Sequence, residues 1–169
     1  MVNGIINVYK EKGYTSFDVV AKLRGIFKQK KIGHTGTLDP DAEGVLPVCL
    51  GKATKVCELL TDKSKEYEAV LMLGKITDTQ DMTGTVLEEH EVNVTEQEVR
   101  EIIHSFVGES RQVPPMYSAL KVNGQKLCDL ARAGKTVERQ PRPITIFSIE
   151  ILKIELPRVR MRVHCSKGT

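Results

Sequence analysis

The chain has 169 residues, a formal net charge of +3 and 40% hydrophobic residues. That length and balance predict one domain of ordinary globular composition and exclude a highly charged disordered chain. No stretch approaches the roughly 20 apolar residues that span a bilayer, and no basic segment followed by an apolar signal core opens the chain, so neither membrane association nor secretion is expected.

Residues 4–9, Gly-Ile-Ile-Asn-Val-Tyr, read as a short apolar strand, and Lys10 to Ser16 as a turn. Thr15 and Asp18 have the spacing of a capping pair. From Phe17, apolar residues at 17, 19, 20, 23, 26 and 27 form a helical stripe, and the helix ends in the basic run Lys28-Gln29-Lys30-Lys31. Gly33-His34-Thr35-Gly36-Thr37-Leu38-Asp39-Pro40 follows. It brackets one imidazole and one carboxylate with glycines, and Pro40 pushes Asp39 out of the helical region. The segment predicts an ordered loop that presents Asp39. By themselves Asp39 and His34 read more readily as a turn residue and a hydrogen-bonding loop residue than as catalytic groups. Val45 to Leu50 then reads as a buried apolar run.

Ala53, Val56, Cys57, Leu59 and Leu60 suggest a short amphipathic helix. Ser64 to Gly74 reads as a strand with Tyr67, Ala69, Leu71 and Leu73 on one face. Residues 77–84 form a polar loop carrying Asp78 and Asp81, without calcium-loop spacing. Thr95-Glu96-Gln97-Glu98 is a capping box, followed by Val99, Ile102, Ile103 and Phe106 along one helix face. Asn123-Gly124 is a hairpin-turn signal, and a short helix is expected over 126–132 with Gly134 after it. Residues 143–155 and 158–165 predict a long hairpin turning at Leu156-Pro157.

The charge is unevenly spread. Lys22, Arg24, Lys28, Lys30 and Lys31 lie together without an acid. Lys121, Lys126, Arg132, Lys135, Arg139 and Arg142 form a second basic region, and Arg158, Arg160, Arg162 and Lys167 a third. Such regions suit phosphate contacts, or serve as solvated faces. The cysteines, Cys49, Cys57, Cys128 and Cys165, form no CxxC pair and read as reduced, mostly buried thiols. His34, His90, His104 and His164 show no metal-ligand spacing, so no metal is expected.

The run from Gly33 to Pro40, with Ala42, Gly44-Val45-Leu46-Pro47 and Gly51-Lys52-Ala53-Thr54-Lys55, resembles the central motif of the TruB family of bacterial tRNA pseudouridine synthases. Lys65-Glu66-Tyr67, the Thr77-to-Asp81 segment and Gln112 to Gly124 extend the likeness, which runs from residue 4 to Thr169. The resemblance implies an α/β (α+β) pseudouridine-synthase fold, a mixed and mainly antiparallel sheet with flanking helices. It implies that Asp39 is the essential catalytic residue and that Tyr67 stacks on the target uracil and assists. It implies further that His34 enters the RNA loop, that Lys10 lies close to the substrate and that Asp81 supports the cleft. Glu11 replaces a proline usual in the family, and Cys128 a tyrosine.

In the family, the string ending here at Thr169 continues to an arginine that pairs with the catalytic aspartate. The expectation is therefore an incomplete catalytic domain over 1–169, without the family's small C-terminal RNA-binding domain. The implied activity is isomerisation of a uridine in the T-loop of tRNA to pseudouridine by base flipping. It needs no cofactor, because the isomerisation involves no net redox change or hydrolysis. The alternative is a non-catalytic RNA-binding or RNA-chaperone fragment. The tRNA T-arm is the expected partner, with no obligate protein partner, a monomeric state and a cytoplasmic location. A phosphoryl-transfer enzyme fits poorly, since Asp39 follows Thr-Gly-Thr where aspartyl-phosphate motifs place the aspartate before it.

Overall fold

A computed structural model of the chain describes residues 1–61, 64–118 and 120–169. The chain divides into two compact units, Met1–Lys63 and Ser64–Thr169.

The first unit is a three-stranded antiparallel sheet with a helix packed on it. β1 (Gly4–Lys10) and β2 (Ile32–His34) flank β3 (Gly44–Leu50). Between β1 and β2 runs α1 (Ser16–Phe27). Its start is the predicted capping box: the Thr15 hydroxyl accepts the Asp18 amide at 3.1 Å, and the Asp18 carboxylate accepts the Thr15 amide at 2.8 Å. The Thr15 hydroxyl and amide together hold the Asp18 carboxyl below its ordinary pKa. Val19, Val20 and Leu23 of α1 pack against Ile32, Leu46, Val48 and Leu50. The stripe is narrower than its sequence pattern: Phe17 is 61% exposed and Ile26 71%. A helix turns about 100° per residue, so a small sheet buries only the i, i+4 row through Val19 and Leu23 with its immediate neighbours. Val45 likewise faces outward from the apolar run. The helix stops at Phe27, earlier than the basic run suggested, because Lys28 takes a left-handed conformation with φ of 48°. After β3, a 3-10 turn over Gly51–Val56 leads into the short helix α2 (Cys57–Thr61).

In the second unit, a four-stranded antiparallel sheet has the order β4 (Lys65–Met72), β11 (Arg158–Cys165), β10 (Arg142–Glu155), β7 (Gly108–Gln112). β10 and β11 are the expected long hairpin, turning at Leu156-Pro157 with register Glu155 opposite Arg158. Register shifts after Ile146 and after Ile151 reset which face the following residues occupy. That is why alternation along β10 looks imperfect in the sequence, and why Ile149, Ile151 and Ile154 all reach one core. That core is closed by α3 (Glu96–Ser105), whose Val99 and Ile103 are buried with Val159. Ile102 and Phe106, expected on the same face, are exposed.

Two small hairpins complete the unit. β5 (Lys75–Thr77) pairs with β6 (Val86–Glu89), and β8 (Lys121–Val122) with β9 (Gln125–Lys126), which leads into α4 (Leu127–Arg132). Asn123 and Gly124 both have positive φ, 51° and 81°, as a two-residue hairpin turn requires. Every strand pairing among the described residues is antiparallel. No described helix is long and apolar enough to cross a membrane.

Candidate active site

The loop between β2 and β3 presents Asp39 as an exposed side chain on a backbone fixed from both sides. On the upstream side, the buried Ser16 hydroxyl accepts the Leu38 amide at 2.9 Å and lies 3.3 Å from the Leu38 carbonyl. The Leu38 side chain also packs against the core of the unit. On the downstream side, the Pro40 carbonyl accepts the Gly13 amide at 2.8 Å. The same carbonyl faces Lys10, whose side chain is 0% exposed. The Lys10 ammonium donates to the carbonyls of Tyr14 at 2.7 Å, Glu11 at 3.1 Å and Pro40 at 3.4 Å. A turn closes the loop, with the Ala42 amide donating to the Asp39 carbonyl at 3.1 Å. The peptide units on either side of Asp39 are thus held while its carboxylate stays open to solvent. An exposed acid on a constrained backbone can approach a reacting atom with little reorganisation.

Lys10 therefore sits beneath this loop with its ammonium turned to carbonyls, and Ser16 has a role that the sequence pattern did not reveal. A serine beside a helix start reads as a cap; its bond to Leu38 spans 22 residues and leaves no local signal.

His34 ends β2, paired with Val48 on β3. It is half-buried, and its Nδ1 is buried with no hydrogen-bond partner among the described residues. It lines an open cavity of about 530 Å³ with Phe17, Arg24, Lys30, Lys31 and Thr54.

Tyr67 and Asp81 belong to the second unit. Tyr67 lies on β4 opposite Val163 and is 40% exposed, unlike Leu71 further along the strand, which packs on the core. Asp81 lies beyond the other end of β4, in a cavity of about 390 Å³ with Val70, Met72, Ile76 and Met82. Its Oδ1 accepts the Thr83 hydroxyl at 2.6 Å, the Thr83 amide at 2.8 Å and the Thr79 hydroxyl at 2.8 Å. These bonds, that from the Thr83 hydroxyl foremost, hold its carboxyl below the ordinary range.

The three basic regions are not equivalent. Arg160 pairs with Glu68, and Arg162 with Glu66, Glu68 and Glu150. Arg139 donates to the Pro114 carbonyl at 3.2 Å, and Arg142 to that of Gly168. Lys22 donates to the Tyr14 hydroxyl at 2.6 Å. By contrast, Lys30 and Lys31 have no side-chain partner among the described residues.

Of the thiols, Cys49 and Cys165 are buried, while Cys57 and Cys128 are half-buried. Burial, with a smaller contribution from the neighbouring Cys57, pushes the Cys49 thiol up to about 11.

Among solved structures, the chain resembles one described as a Cbf5-Nop10-Gar1 complex, with 34% identity and a TM-score of 0.74 over 98% of this chain and 40% of that one. It also resembles an H/ACA RNP bound to a substrate RNA containing 2'-deoxyuridine, at 31% identity and a TM-score of 0.70, covering 98% of this chain and 38% of that one. The fold is that of pseudouridine synthases. Residues 24–169 match the family described as TruB family pseudouridylate synthase (N terminal domain), and the chain belongs to that family. The tRNA pseudouridine synthase B of Lachnoclostridium phytofermentans is 67% identical over 176 aligned residues, covering 99% of this chain and 57% of the relative. That of Clostridium novyi is 59% identical over 168 residues, covering 99% of this chain and 58% of the relative. The chain thus spans rather more than half the length of the curated relatives it matches.

Proposed function

We propose that the chain carries catalytic residues for converting a uridine in the T-loop of tRNA to pseudouridine, with Asp39 as the essential acid. The observation that carries this proposal is the exposed Asp39 carboxylate on a loop clasped at Leu38 by Ser16 and at Pro40 by Gly13 and Lys10. The reaction breaks the N1–C1′ bond, turns the base and joins C5 to C1′. The acid acts at the sugar or base to start glycosidic cleavage, and the proton on C5 leaves after the new bond forms. Tyr67 faces the uracil and assists that last step, and Asp81 supports the cleft.

A uridine within a folded RNA loop must be extruded, which costs a few kcal/mol. Stacking on an aromatic ring offsets about 1–3 kcal/mol of it. His34 fills the space vacated by the base. Recognition follows the shape of the RNA and its unpaired bases. No obligate protein partner is required in this scheme, which operates in the cytoplasm as a monomer.

The test is tritium release from C5-labelled uridine in an unmodified T-arm stem-loop, with the chain and with Asp39→Asn. Release by the chain and none by the variant, at RNA affinities within a few-fold, is expected. Equal release by both removes Asp39 from its role. Tight binding with no release by the unsubstituted chain makes it an RNA-binding module instead.

A further inference from the structure

The cavity beside His34 has a composition that the Asp39 loop does not explain. Lys28, in its left-handed conformation, ends α1 and turns the chain back, so that Lys30 and Lys31 come to line the same cavity as Arg24 of α1 and His34 of β2. Three permanent cations and an imidazole thus share one opening, with no aspartate or glutamate among the described lining residues. Like charges gathered without a counter-charge repel one another, and an anion removes that repulsion.

A second observation is independent of charge. The Arg24 Nε and the His34 Nδ1 are both buried and have no hydrogen-bond partner among the described residues. Buried polar atoms are usually satisfied, so these two orphans, with His34 taken as its Nδ1–H tautomer, leave two donors for an acceptor that is not protein. Both are shielded from solvent, and a ligand in the cavity reaches them only with a small shift of the Arg24 and His34 side chains. The third feature is Phe17. Its ring is exposed and carries the Arg24 guanidinium 5.6 Å from its centroid, which holds the guanidinium over an apolar wall. A volume of about 530 Å³ is within the range of roughly 300–1,000 Å³ typical of small-molecule sites and exceeds what a single inorganic anion needs.

We propose that this cavity is a phosphate subsite, in which Arg24, Lys30 and Lys31, with His34 in its Nδ1–H form, hold a phosphodiester of the bound RNA strand. The cations neutralise the phosphate, the two orphaned nitrogens donate to its oxygens, and the Phe17 wall leaves room for the attached nucleoside. The assignment to RNA rests on the function proposed above; the affinity for a phosphate group does not. The subsite would anchor the strand at His34, one end of the loop that carries Asp39.

Two arms test it on the full chain. In the first, inorganic phosphate is titrated at constant ionic strength while the Arg24 Nε–H signal is followed by NMR. A saturable shift, lost in Lys30→Gln/Lys31→Gln, is expected; no shift overturns the subsite. In the second, stem-loop affinity is measured against salt for the chain, for Arg24→Gln and for Lys31→Gln. Each variant should bind several-fold more weakly, and its log–log salt slope should be shallower by about 0.7 per lost single-strand phosphate contact. Lys31 is exposed, so Lys31→Gln retains the fold even if Arg24→Gln does not. A phosphate shift with unchanged slopes overturns the RNA assignment and leaves a site for small phosphates. Altered slopes without tritium release uphold the subsite and refute catalysis instead.

Discussion

Replacing Lys10 by Met removes an ammonium while keeping most of the apolar stem. Its donors reach three carbonyls, and the contact to Pro40, at 3.4 Å, is the weakest. Hydrogen bonds from a charged donor are worth about 1.5–3 kcal/mol each, so the two shorter ones sum to about 3–6 kcal/mol gross. The substitution also ends the cost of keeping a charge away from water, which is several kcal/mol for a buried ion. The net loss is set by the acceptors left behind. The Pro40 carbonyl keeps the Gly13 amide at 2.8 Å, and Glu11 is exposed, so water replaces the lysine there. The Tyr14 carbonyl bears most of the loss, about 1–3 kcal/mol for one unsatisfied group. Lys10→Met should therefore destabilise the chain by about 2 kcal/mol, roughly a 30-fold change in the folding equilibrium, read as a lower urea midpoint at unchanged slope. Amide exchange at Gly13 and Ala42, which donate to the Pro40 and Asp39 carbonyls, should rise together. A variant with the parent midpoint and parent exchange would refute the clasp, and lost tritium release in that same variant would put the ammonium on the RNA instead.

Ser16→Ala leaves the Leu38 amide without its acceptor and should cost about 1–3 kcal/mol, with faster exchange at that amide; a loss under about 0.5 kcal/mol would mean that water takes over the bond. Tyr67→Phe should retain RNA affinity where Tyr67→Ala loses it by about 1–3 kcal/mol, because the ring and not the hydroxyl stacks; equal losses in the two variants would refute stacking. The carboxyls of Asp18, Asp81 and Glu98 all lie below their ordinary values in the folded chain, because of bonds from Thr15, Thr83 and Thr95 respectively. A depressed folded pKa gives stability that is fully present above the unfolded value, near 4, and is lost as pH falls through the folded value. Urea midpoints should therefore fall steadily below about pH 4. Thr95→Ala should flatten the Glu98 share of that dependence only in part, because the Thr95 amide, the larger cause, still donates to Glu98 when the hydroxyl is gone.

Local chemistry was legible in the sequence where neighbours in the chain are neighbours in space. The Thr15 and Thr95 capping boxes, the Asn123-Gly124 turn and the β10–β11 hairpin each depend on residues a few positions apart, and each forms where its pattern lies. Burial direction was less legible. Phe17, Ile26, Ile102 and Phe106 have the right spacing for a core face, yet the width of that face depends on the surface opposing each helix, which no local pattern encodes. The site divides in the same way. Asp39 stands out because Pro40 and the flanking glycines shape its loop locally. What holds that loop in place comes from β1 and the start of α1: the Lys10 contact to Pro40 spans 30 residues and the Ser16 bond to Leu38 spans 22. The Asp39 side chain was thus visible as a motif, whereas its support depends on how the chain returns past itself. The basic regions follow the same logic, since composition placed Arg160, Arg162 and Lys31 in one category. Antiparallel register then sets Arg160 opposite Val70, beside Glu68, and Arg162 opposite Glu68 itself, whereas the turn at Lys28 leaves Lys30 and Lys31 facing an uncompensated cavity. Pairing, rather than charge count, decides which cations remain available to an anion.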